Sequence, residues 1–228
     1  INSLFVAIYL GPFYLGIWGF INLIIQYFNQ INLGIPNSVN VIASIHKNKT
    51  IYVNKVVGTA VSMLILLSVV FAGFFMANFY FEWGIGDKYS FSRYAPFVFV
   101  IAALGNFNSL LSNVFRIHGK LFEIWFNQSL FPVLTLLMIL IFRGDNLLWA
   151  LVLANSIAVV LSLLLFIYRS PVRIKPLFIW RLAKTIQLKG WYLFMYNTSF
   201  YLILISTRSF VSGFYSVAEF GYFTFAFS

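Results

Sequence analysis

Apolar stretches of bilayer length alternate with short polar ones along almost the whole chain. A helix needs about 20 mostly apolar residues to cross ~30 Å of hydrocarbon. That length predicts complete spans at residues 17–33, 56–80, 94–115, 124–142, 147–168 and 191–212. Residues 1–10 are too short and read as the exit end of a helix whose start is missing. An eighth span begins at Tyr222 and stops at Ser228, so the chain reads as a fragment. A turn is expected over residues 11–16, and Gly34-Ile35-Pro36 should break the second span. Residues 37–55 read as a helical extension followed by a loop, and Pro132 as a kink in span five.

Residues 169–189 depart from this alternation. They carry Arg169, Arg173, Lys175, Arg181, Lys184 and Lys189 without an acid. After Pro176, the apolar Leu177, Trp180, Leu182, Ala183 and Ile186 recur at helical spacing, which predicts a helix lying on a membrane surface. The expected fold is all-α, a polytopic transmembrane helix bundle. Residues 1–168 form a six-helix N-terminal lobe, 169–189 a basic interfacial linker, and 190–228 the start of a similar C-terminal lobe.

Composition agrees: 61% of residues are hydrophobic and only 9% charged, against roughly 25% charged in soluble domains. The net charge of +10 does not point to nucleic acid, because its cations lie between apolar runs. Lys47, Lys49, Lys55, Arg116, Lys120 and the six linker cations fall on alternate loops, while the opposite loops hold only Lys88, Arg93 and Arg143. The positive-inside bias then places the N-terminus and the linker in the cytoplasm. With no cysteine, and with His46 and His118 far from acids, no metal site is expected. Tyr80, Trp83, Tyr89 and Tyr94 are expected to form an interfacial belt at the other face.

A weak internal echo accompanies the lobe division. Residues 12–20 and 217–225 both place a glycine and then aromatics at the start of a helix. Matching Gly16 to Gly221 gives an offset of 221 − 16 = 205 residues, as in transporters built from parallel repeats.

Tyr9-Leu10-Gly11-Pro12 through Gly16-Ile17-Trp18, and Ile31 to Pro36, resemble the opening of bacterial polysaccharide flippases of the Wzx type, in the multidrug/oligosaccharidyl-lipid/polysaccharide exporter superfamily. Arg208 to Phe214, followed by Ser216 to Ala226, resembles that family's seventh-to-eighth helix junction, with Thr207 where the family usually has Asp. The resemblance implies about twelve to fourteen helices, residence in the bacterial inner membrane, and transfer of undecaprenyl-pyrophosphate-linked oligosaccharide (O-antigen, lipopolysaccharide) to the periplasmic leaflet. It implies no enzymatic step and no cofactor, an H+ or Na+ coupling ion left open, and other polysaccharide-assembly membrane proteins as partners beside the phospholipid bilayer.

Such transport needs a polar route through the spans. Asn22, Gln26, Asn29 and Gln30 form a stripe on span two, and amides suit sugar hydroxyls because each offers donors and an acceptor. Asn106, Ser109 and Asn113 share a face of span four, where helix packing is the better reading. Arg208, the one cation within a predicted span, either attracts pyrophosphate or snorkels to the headgroups. Arg116 and Lys120 are candidates to receive pyrophosphate at the cytoplasmic mouth, with topological charge as their alternative role. A membrane glycosyltransferase or polymerase remains the enzyme alternative, although Glu82, Asp87, Glu123, Asp145 and Glu219 are scattered. A cation-coupled multidrug exporter of the same superfamily is the other, although no acid lies inside a full span.

Overall fold

Hydrocarbon offers no hydrogen bonds, so apolar segments of this length must satisfy their own backbone, and a helix does so within each segment. The computed structural model describes residues 2–81, 84 and 86–227. Among these it forms eight α-helices and no strand: α1 (Asn2–Gln30), α2 (Ile35–Ile45), α3 (Thr50–Phe81), α4 (Ala95–Ile117), α5 (Leu121–Ile141), α6 (Gly144–Tyr168), α7 (Trp180–Phe214) and α8 (Val217–Ala226). Five segments, in α1, α3, α4, α5 and α6, are long and apolar enough to cross a membrane. The protein is an all-α, multi-pass bundle. Glu82, Trp83 and the chain ends Ile1 and Ser228 lie outside the described residues.

Several predicted boundaries move. The turn over 11–16 contracts to one non-helical residue, Gly11 (φ 72°, ψ 168°), with Pro12 opening the next helical stretch. The break after span two comes at residues 31–34, where Leu33 (φ 52°) and Gly34 (φ 73°) both adopt left-handed backbone. Helix α3 starts six residues earlier than expected, and Pro132 sits within an unbroken α5. The linker differs most. No helix follows Pro176 directly; residues 173–179 form no regular element, and helix begins only at Trp180. There it runs on without interruption through residues 191–212, which are expected as span seven but are not among the five segments long and apolar enough to cross.

This irregular segment has partners that sequence pattern does not reveal. Leu177 N–H donates to the Gly58 carbonyl (3.2 Å), and Arg173 N–H to Asn54 Oδ1 (3.1 Å), so the linker is docked along α3. Gly58 is needed there, because a Cβ would overlap the Lys175 carbonyl. The first turns of α7 bury Ala183, Ile186 and Gly190, spaced by three and four, while Arg181, Lys184 and Lys189 remain exposed. This is an amphipathic helix with its apolar face on protein.

Two main cores result. At the linker end, Ile35, Val39, Val57, Leu110, Val114, Val172 and Ile186 pack together. At the far end, Leu10, Ile21, Tyr94, Leu147, Leu148 and Phe220 do so. Tyr89 and Tyr94 belong to this far-end core, being 3% and 2% exposed, which corrects their place in an interfacial belt; Tyr80 is 81% exposed. Tyr89 stacks on Phe20 at 4.2 Å between ring centres.

Helices α1 and α8 meet at the far end through the two echo stretches. A Cβ on Gly16 would overlap the Val217 carbonyl, and one on Gly221 would overlap that of Pro12; Gly19 lies against Thr224. With the 205-residue offset, 16 against 217 becomes 221 against 12, and 19 against 224 maps onto itself. Reciprocal contacts of this kind are what a local two-fold axis produces. Both helical stretches also follow a residue with extended ψ, 168° at Gly11 and 162° at Ser216. Ser216 and Glu219 close a capping box on α8.

Candidate functional site: an amide cavity at a helix break

The break between α1 and α2 is held by one side chain. Asn32 Oδ1 accepts from Gly34 N–H (3.0 Å), while its Nδ2 donates to the Asn29 carbonyl (2.7 Å) and to Asn106 Oδ1 of α4 (3.1 Å). A Cβ at Gly34 would overlap the Gly190 carbonyl of α7, so only glycine allows this close approach. The local fold thus breaks the helix after the α1 span, on the linker side, and brings α4 and α7 to the gap.

Beside the break lies a cavity of about 410 Å³. Six carboxamides line it: Asn29, Gln30, Asn32 and Asn37 around the break, Asn106 on α4, and Asn197 on α7. Ser109, Tyr201 and Phe194 complete the polar and aromatic wall, and no ionisable acid or base other than the Tyr201 phenol lines it. The arrangement can offer several donors and acceptors to a neutral polyhydroxyl group, and an aromatic ring to stack on it.

Arg208 lies seven residues beyond Tyr201 on α7, roughly 10 Å along the helix. It is half-buried; one terminal nitrogen donates to Gln26 Oε1 (3.4 Å), and its Nε has no protein hydrogen-bond partner among the described residues. Ser209 and the Tyr27 hydroxyl form a neighbouring hydrogen bond between α7 and α1. The guanidinium therefore projects between these helices with a donor to spare.

The stripe predicted on span two divides. Asn29 and Gln30 line the cavity, and Gln26 meets Arg208. Asn22 instead donates to the Trp18 carbonyl of its own helix (2.9 Å). Arg116 is exposed, and Lys120 donates to the Arg169 carbonyl at the end of α6 (2.9 Å); neither lines the cavity. The span-four polar face divides as well. Asn113 joins helices by donating to the Pro36 carbonyl (3.0 Å), whereas Asn106 and Ser109 reach the cavity. The residues that the sequence reading passed over are Asn32, Asn37, Asn197 and Tyr201. Asn197, Tyr201 and Arg208 are spaced by four and seven, one face of a helix, and that periodicity was available as a signal.

Beyond the cavity, at the far end, the Asp87–Tyr89 turn clamps the C-terminus of α7. Lys88 Nζ donates to the carbonyls of Ser212 (3.2 Å) and Tyr215, and the Tyr89 hydroxyl donates to Ser212 (2.7 Å). Burial pushes the Tyr89 phenol up to about 12, so it stays a donor at any ordinary pH. At the linker end the buried Glu123 pairs with Arg169 (3.3 Å). No group of metal-binding side chains occurs among the described residues.

No protein-family model, curated protein or solved structure matches the chain.

Proposed function

We propose that the protein flips an undecaprenyl-pyrophosphate-linked oligosaccharide across the bacterial inner membrane, from the cytoplasmic to the periplasmic leaflet. The linker end then faces the cytoplasm, by the excess of Lys and Arg there. The observation that carries the reading is the cavity of six carboxamides without a charged side chain, set at a helix break in an otherwise apolar bundle. Amides in a membrane bundle are costly unless they pair, meet water or serve a polar ligand; here Asn106 is buried and the other five keep part of their surface open to the cavity or beyond it. Sugar hydroxyls fit that lining. Arg208, two turns further along α7 with Nε unpaired, supplies the positive charge for the pyrophosphate. In this reading no bond is made or broken, so the residues bind and release only.

The same cavity orders the roles. Asn29, Gln30 and Asn106 hold the sugar nearest the lipid, Gln26 and Arg208 take the phosphates, and Asn22 takes no direct part. Arg116 and Lys120 set orientation in the membrane. The test is complementation in cells that lack their own glycan flippase, reading surface polysaccharide at matched protein level. Arg208→Ala and Asn106→Leu should each reduce export about tenfold, the loss of one strong or charge-assisted hydrogen bond. Normal export from both variants would sink the proposal.

A further inference from the structure

The break between α1 and α2 has two sides with different surroundings. Asn32 and Gly34 line the amide cavity, whereas Leu33 and Ile35, alternating with them, line a separate groove of about 510 Å³. Its other wall residues include Met63 and Leu66 of α3 and Trp180 of α7, and Lys184 is the one charged side chain in its lining. Along α7 the groove ends at Leu188 and the cavity begins at Phe194, and between them Gly190 touches the backbone of Leu33 and Gly34. Apolar groove and polar cavity are thus neighbours, separated by one glycine contact.

We propose that this groove seats the isoprenoid tail of an anionic polyprenyl-phosphate lipid. The inference rests on the flippase reading and deepens it: the lipid docks first with its tail in the groove and its phosphate near Lys184, and the glycan then enters the cavity as the phosphates move on to Arg208. Three features select this occupant. The lining is apolar apart from Lys184 and Gln187. The charge at its edge is positive, with Arg181 and Lys184 exposed and no acid anywhere in residues 169–189, which suits a phosphate at the membrane surface. Contiguity with the amide cavity suits a molecule that joins a long apolar chain to a polyhydroxyl head, which an ordinary phospholipid does not.

The experiment uses the full-length protein in nanodiscs and a polyprenyl monophosphate carrying a photoreactive diazirine in its tail and no sugar. Labelling should concentrate at Met63 and Leu66 over Leu140, an exposed α5 residue outside the groove. Unlabelled polyprenyl monophosphate should compete, and equal phosphatidylglycerol should not. Leu66→Trp, which fills the groove, should abolish the labelling. Lys184→Ala, at an exposed position, should weaken it about fivefold while sparing labelling by uncharged polyprenol. Equal labelling at Leu140, competition by phosphatidylglycerol, or indifference to both variants would overturn the proposal. Because the probe has no glycan, its binding is independent of transport. Labelling without export in the complementation assay faults the flippase reading, and export without labelling faults the groove alone.

Discussion

The segments α1–α2 and α7–α8 meet twice, and the two meetings are built on opposite principles. At the far end, α1 and α8 approach until backbone touches backbone, with Gly16 and Gly221 against the carbonyls of Val217 and Pro12, inside an aromatic core. At the linker end, Gly34 and Gly190 make one similar contact, but beside it the helix is broken and six amides surround a cavity. The chain leaves helix beside this seam too, at Gly11 and Ser216, but close packing there leaves no room for a ligand. A broken helix supported by Asn32 does the reverse, and polar side chains gather where the chain is irregular. The difference separates a seam that holds the molecule together from a site that can bind.

The strongest way to break this contrast is Gly221→Val. The added side chain overlaps the Pro12 carbonyl, so the folded state should lose about 3 kcal/mol or more. A thermal melt in detergent reads this directly; an unchanged melt would show that the seam is not close-packed. Gly34→Ala tests the other meeting. Its left-handed φ of 73° costs alanine about 1–2 kcal/mol, and the Gly190 carbonyl stands in its way, so the melt should fall by at least that much. Lys88→Met removes the exposed clamp on α7, for about 1 kcal/mol. Hydrogen exchange should then quicken at residues 211–215 and not at 186–190. The smallest effect belongs to Asn22→Leu. Its amide bonds only within its own helix, so stability should stay within about 0.6 kcal/mol and export should be normal. A transport defect there would move the polar route away from the break.

Five of the six complete spans were legible because apolar length alone determines them, whereas residues 191–212 carry too many polar side chains to qualify; the break at Gly34-Ile35-Pro36 was legible because proline and glycine act locally. The turn at 11–16 was overextended for a physical reason. Gly11 turns the chain, whereas Gly16 admits a neighbouring helix, and a sequence does not distinguish these two uses of glycine. Sequence pattern starts the linker helix too early because Leu177 and Arg173 find their backbone hydrogen bonds on Gly58 and Asn54, more than a hundred positions away. At the candidate site, helical periodicity found Asn29 and Gln30 but could not tell Asn22 from them, since an amide can bond the preceding turn of its own helix. Asn106 and Asn113 share a face, yet one reaches the cavity and the other joins two helices. Which does which depends on where α2 lies.

Helix α7 is a rod about 50 Å long, fastened at both ends by different means. At the linker end it is seated by buried Ala183 and Ile186 and by the Gly190 backbone. At the far end it hangs from Lys88 and Tyr89. Unseating the first end exposes apolar surface, which water does not compensate. Releasing the second exchanges the Lys88 and Tyr89 hydrogen bonds for those of water at a small net cost, with Ile205 in the far-end core as the contact that resists. A strut with one welded joint and one latch swings from the weld, and Arg208 and Tyr201 lie on the arm that would travel.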